Sequence, residues 1–245
     1  MGCDIHLYVE KRVAKGNWVP VDKWIPDKDS EEKGGLMVPY DKCYYFDRNY
    51  NLFAILADVR NGRGFAGTDT GEGFNPISVA RGLPSDVSTK IQREFYHWGN
   101  DAHSVSFHTV KDLLEYDWTQ VSNLRGVVSA VEYYGWKRWN RDHGEGPEGY
   151  CADVGGTKVL FLSPNEMDRQ IQDLEKRDLD KTGERCVNFR EMEKIIGEKM
   201  PHCYCRIEWK QPYYKTCRSF WSDTIPRLLR LGKPEDVRIV FWFDN

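Results

Sequence analysis

Residues 3 to 10 alternate strictly between apolar and polar. Cys3, Ile5, Leu7 and Val9 fall on one side of a period-two strand, and Asp4, His6, Tyr8 and Glu10 on the other. At the far end, Val237-Arg238-Ile239-Val240-Phe241-Trp242-Phe243-Asp244-Asn245 is almost wholly apolar, the pattern of a strand covered on both faces. Together the two runs predict an α/β (α+β) fold. Its one mixed sheet has the N- and C-terminal strands central or adjacent, with helices packed around it.

Between them the pattern changes repeatedly. Lys15-Gly16-Asn17 reads as a hairpin turn and residues 18–21 as the return strand. Residues 26–42 read as a polar surface loop. Asp47 reads as the N-cap of a helix running to about residue 60, with Tyr50, Phe53, Ala54, Leu56 and Ala57 on its apolar face. Gly62, Gly64, Gly67, Gly71 and Gly73 make residues 62–76 either a mobile loop or backbone wrapped closely round something. A helix is expected over 86–98, a polar connecting stretch over 100–106, and a capping box at Thr109 and Asp112. Residues 119–139 read as a long helix and 158–162 as a short buried strand. Ser163-Pro164-Asn165-Glu166 is a strong helix start, and Asn188 opens another helix. A strand at 204–210, a helix at 213–231 and the final strand read as a strand-helix-strand unit with parallel strands. The domain reading is one α/β domain over 1–245, with a candidate helical insertion at about 137–200.

Composition narrows the function classes. A formal net charge of -3 argues against a broad nucleic-acid-binding surface. No run is long and apolar enough to span a bilayer, and the early Asp4 and His6 do not fit a signal peptide. The expected setting is therefore a reducing cytoplasm without membrane attachment, with the seven cysteines as thiols. Nine Trp and thirteen Tyr supply rings for a core, for pocket walls and for stacking on planar ligands.

Four groups of residues carry candidate chemistry. Asp4 and His6 share a strand face, and an acid beside an imidazole can fix its tautomer and raise its basicity. Asp101-Ala102-His103-Ser104 repeats that pattern and adds a hydroxyl. If the two pairs met, Asp4, His6, Asp101 and His103 would form a catalytic set for acid-base work on a phosphate ester. The ordinary alternatives are a satisfied strand histidine and a turn capped by short polar side chains. Arg48, Asn49 and Tyr50 at one end of the first helix, and Arg60 and Asn61 at the other with Arg63 beyond, could hold phosphate, with Ser104 and Ser106 as further donors. A capped helix with a solvated basic end is the plainer reading there. His202-Cys203-Tyr204-Cys205, with Cys186 and Cys217, lacks the paired spacing of a zinc site, so no metal and no cofactor are expected. The chain has no two-histidine phosphoesterase signature, no His-Asp dipeptide, no phosphate-binding loop and no dinucleotide fingerprint.

Several stretches carry a resemblance. These are the opening Cys-Asp-Ile-His, Asp47-Arg48-Asn49-Tyr50-x-Leu52-Phe53-Ala54, Val59-Arg60-Asn61, Gly82-Leu83-Pro84-x-Asp86-x-Ser88, Asp101-x-His103-Ser104-x-Ser106 and the terminal apolar run. Together they resemble a family of small phage-encoded accessory proteins of unassigned function. The resemblance is thin between about residues 137 and 200. It implies a phage protein in a host cytoplasm, of a kind that often counters host defence. The leading expectation is a protein that binds and sequesters a small nucleotide-derived immune signal of the cyclic-nucleotide or ADP-ribose type. A metal-independent phosphodiesterase acting on such a signal, and a protein-blocking inhibitor with no small ligand, are the alternatives. Whether the chain is an enzyme stays open, and a homo-oligomer is compatible with all three.

Overall fold

The computed structural model describes residues 2–28, 35–62, 71–140, 145–179 and 183–244. Arg63, Gly64, Gly67 and Asn245, singled out above, lie outside them. In chain order the elements are β1 (Ile5–Arg12), β2 (Trp18–Pro20), β3 (Ile25–Pro26), β4 (Leu36–Met37), α1 (Tyr50–Ala57), α2 (Thr89–Trp98), β5 (His103–Thr109) and α3 (Val110–Glu115). There follow β6 (Val121–Ser129), α4 (Ala130–Gly135), β7 (Leu160–Leu162), α5 (Pro164–Arg177), α6 (Phe189–Lys199), β8 (Cys203–Pro212), α7 (Tyr213–Thr216), α8 (Ile225–Leu229) and β9 (Val237–Phe243). The chain folds into two compact units. The first comprises residues 1–61, 74–119 and 217–245, and the second 62–73 and 120–216.

The first unit is built on a sheet of order β2-β1-β9-β5. The two terminal strands are its inner pair, as their patterns predict. All its pairings are antiparallel, and Ile5 opposes Phe243 while Lys11 opposes Val237. Every residue of β9 is buried. One sheet face packs against α1, where Phe53 meets Phe243 at 4.9 Å between ring centroids. The other carries Tyr8, Val240 and Trp242 against Ile91, Phe95 and Trp98 of α2. Burying each large side chain of β9 contributes about 1.5–3 kcal/mol. Glu10, on the polar side of the β1 alternation, is fully buried. It is paired with Arg238 at 2.7 Å, and Arg238 reaches Asp86 at 2.7 Å and lies 4.1 Å from the Trp18 ring centroid. That network satisfies charges which would otherwise be prohibitive in a core.

The second unit holds a three-stranded sheet of order β6-β8-β7, with β6 antiparallel and β7 parallel to β8. α5 and α6 both open with capping boxes, on Ser163 and Asn188. The capping box at Thr109 also forms, on α3 of the first unit.

Four local expectations are overturned. The helix expected over 119–139 is β6 followed by the short α4, because nine residues of β6 pair with β8. Residues 100–106, expected as a polar connection, instead run into an edge strand, β5, with a register shift between His103 and Ser106. β7 is not buried: Leu160 is 51% and Phe161 42% exposed on a sheet edge. The strand-helix-strand unit at the C-terminus does not form, since β8 and β9 belong to different sheets. The helix between them is interrupted, its middle a π-helical turn at Phe220–Thr224.

Candidate functional site

The end of the first unit's sheet where β1 and β5 begin and β9 finishes gathers most of the candidate side chains. Register explains why. If Ile5 opposes Phe243, then Asp4 lies beside Asp244, and the Asp4 amide donates to Oδ1 of Asp244 at 2.9 Å. Oδ2 of the same carboxylate lies 3.3 Å from Nε2 of His6. The acid that orients His6 is thus Asp244. Asp4 is engaged instead by Arg48, whose Nε and Nη2 donate to its two oxygens at 2.7 and 2.5 Å. Those bonds hold the Asp4 carboxyl below its ordinary range.

His6 and His103 do not converge. His6 opposes Trp242 and His103 opposes Phe243, and consecutive strand residues point to opposite faces. The His6 ring lies against Trp98, 3.9 Å between centroids, on the α2 side. His103 stacks on Phe243 at 6.0 Å, on the α1 side, with Nε2 3.9 Å from the Cys3 thiol and Nδ1 3.0 Å from Ser104 Oγ. Burial lowers the basicity of His103, and the Arg60 charge adds to that. Burial likewise raises the Cys3 thiol, against a hydrogen bond from Arg60. The Cys3 amide donates to the Tyr50 hydroxyl at 3.2 Å, and the Arg60 guanidinium sits 5.8 Å from the Tyr50 ring centroid.

Two backbone positions are conspicuous. Arg60 has φ 57° and Ser104 φ 52°, the left-handed region that non-glycine residues enter at a cost of order 1 kcal/mol or more. Asp58, at the C-cap of α1 with φ 60°, is the other non-glycine case among the described residues. Two such residues at one cluster of titratable groups match the pattern of strain held at functional sites.

Other candidates have structural duties. Asn49, rather than Asp47, is the N-cap of α1, accepting from the Leu52 amide at 3.1 Å. Asn61 is tied to Phe74, accepting from its amide and donating to its carbonyl, both at 2.7 Å. Ser106 is fully buried and accepts from the Arg81 amide. Asp101 is exposed at the end of a 3-10 turn (Gly99–Asp101). Cys3 and Asp244 are the members of the cluster that sequence reasoning missed. The antiparallel register of β1 and β9 would have found Asp244.

Among the described residues, no group of three or more His, Cys, Asp or Glu is placed to hold a metal ion, and no helix is long and apolar enough to cross a membrane. The cluster comprises two guanidinium groups, two imidazoles on opposite sheet faces, a phenol, a hydroxyl, a thiol and two carboxylates. Such a set can grip an anion and donate hydrogen bonds, and one imidazole faces a thiol. Compared with known proteins, the chain matches no family model, no curated protein and no solved structure.

Proposed function

We propose that the chain binds a small phosphate-bearing, nucleotide-derived ligand at the sheet-end cluster and holds it without cleaving it. The observation that carries this reading is the pairing of strained backbone at Arg60 and Ser104 with the side chains most suited to an anion, Arg60, Arg48 and His103. Holding is favoured over cleavage because His6 and His103 lie on opposite sheet faces and cannot act together as acid and base. The family resemblance supplies the setting: a phage protein that keeps a host immune signal from its receptor in the bacterial cytoplasm.

One observation favours a second reading. His103 Nε2 faces the Cys3 thiol at 3.9 Å and Ser104 contacts Nδ1, the order of nucleophile, base and orienting group. On that reading the hydrolase would use the thiol rather than two histidines. The test is calorimetry of the purified protein with cyclic dinucleotides and ADP-ribose derivatives, followed by chromatography of each mixture. Saturable heat with the ligand recovered intact supports capture. A new product selects the thiol reading, and no heat with any nucleotide selects a protein-blocking role.

A further inference from the structure

The second unit contains a cavity of about 880 Å³, within the range that holds small organic ligands. No residue named above as a candidate for chemistry lines it. Its floor is the open face of β6 and β8, where Arg125 stands directly opposite Glu208. Its walls are Tyr133 of α4, Trp136 and Lys137 just after it, and the first turn of α5 with Asn165 and Asp168.

Most of its charges are already spoken for. Lys137 Nζ donates to both oxygens of Asp168, at 2.7 and 2.5 Å, and the Tyr133 hydroxyl donates to Oδ1 at 2.9 Å. Arg206 donates to Asp153 at 2.8 Å. Arg125 is also engaged. The lining carries three cations and three carboxylates, so it has no excess positive charge with which to hold a polyphosphate. The groups left without a side-chain partner among the described residues are the Glu208 carboxylate and the Asn165 amide. Both accept hydrogen bonds, and the Trp136 and Tyr133 rings line the same cavity. A carboxylate and an amide oxygen near aromatic rings suit a ligand bearing a cationic nitrogen.

We propose that this cavity binds a small organic cation, an amine or guanidine, with its charged nitrogen on Glu208. The inference is independent of the sheet-end site and of any nucleotide bound there.

The full chain is titrated by calorimetry at physiological ionic strength with arginine, agmatine, putrescine and spermidine, and with AMP as the anionic control. Saturable binding of at least one amine is expected, weakened at least tenfold in Glu208→Gln and reduced in Asn165→Leu, with unchanged melting temperatures without ligand. Arg60→Ala is expected to bind the amine as wild type does. Four results would each overturn the proposal: no saturable binding of any amine, amine binding undiminished in Glu208→Gln, amine binding lost in Arg60→Ala, or competition of AMP for the same cavity.

Discussion

The amide of Asp4 donates to Oδ1 of Asp244 at 2.9 Å, closing a contact between residues 240 positions apart. The same carboxylate meets His6, so one acid at the end of β9 fixes both the start of β1 and an imidazole. Replacing Asp244 by Ala leaves that amide without its acceptor and His6 without its orienting group. We expect a loss of about 1–2 kcal/mol in urea denaturation and a change in the His6 ring nitrogen shifts by NMR. Unchanged stability together with unchanged His6 signals would contradict this role.

Glu10 and Arg238 are the buried pair of the same sheet, with Glu10 also accepting from the Ser88 amide at 2.7 Å. Glu10→Ala strands most of a guanidinium charge inside the core. The expected cost is about 3–5 kcal/mol, read as a lower urea midpoint. A loss under 1 kcal/mol would mean that Asp86 and the Trp18 ring suffice to hold Arg238.

Two buried groups give the stability curve opposing slopes. Burial pushes the Asp22 carboxyl up to about 7, where Oδ2 accepts from the Val9 amide and Oδ1 has no partner among the described residues. Its folded value lies above the unfolded one, so its contribution is complete below about pH 4 and is lost as pH rises towards 7. Burial pushes His108 down to about 4, with Nε2 on the Leu56 carbonyl at 2.7 Å. That contribution is complete above about pH 6.5 and is lost as pH falls towards 4. Asp22→Asn keeps an oxygen for the Val9 amide. Its stability relative to wild type is expected to grow steadily between pH 4 and 7. Parallel curves for the two proteins over that range would refute the assignment.

Removing residues 241–245 takes Phe241, Trp242 and Phe243 out of the core. At about 1.5–3 kcal/mol each, their loss rivals the whole stability of a typical domain. We expect no soluble folded product. A soluble truncated protein with native near-ultraviolet circular dichroism would show that β9 is dispensable.

The frame of the first unit was legible because β1 alternates from Cys3 to Glu10 and β9 is apolar apart from Arg238. The capping residues Thr109, Ser163 and Asn188 also read directly, since a cap is a local hydrogen-bond pattern. β6 did not read, because its pairing with β8 is a long-range choice, and only the following Ala130–Gly135 segment of the expected helix is helical, as α4. His103 looked like a loop residue because edge strands carry polar side chains and this one has a register shift. The cluster was half legible. Asp4, His6, Arg48, Arg60 and His103 stood out as residue types, but their faces depend on register. That register sends His6 and His103 apart and brings in Cys3 and Asp244, which single-strand patterns cannot pair.

At the cluster itself, Arg60→Ala removes the guanidinium beside His103 and relieves a left-handed arginine only in part, since alanine also avoids positive φ. Loss of a charge-assisted bond to an anion is expected to weaken ligand binding by about 1.5–3 kcal/mol, measured by calorimetry. Equal affinity in both proteins would place the ligand elsewhere.

The most direct test incubates wild type and His103→Asn with each cyclic dinucleotide and ADP-ribose derivative that gives heat, and follows the mixtures by chromatography. A positioned proton-transfer group is typically worth about 10²–10⁴ in rate, so a catalytic His103 would announce itself in the products. Wild type is expected to return the ligand unchanged and His103→Asn to bind it more weakly, with no product from either. A product peak that grows with wild type and is missing with His103→Asn would contradict capture without cleavage.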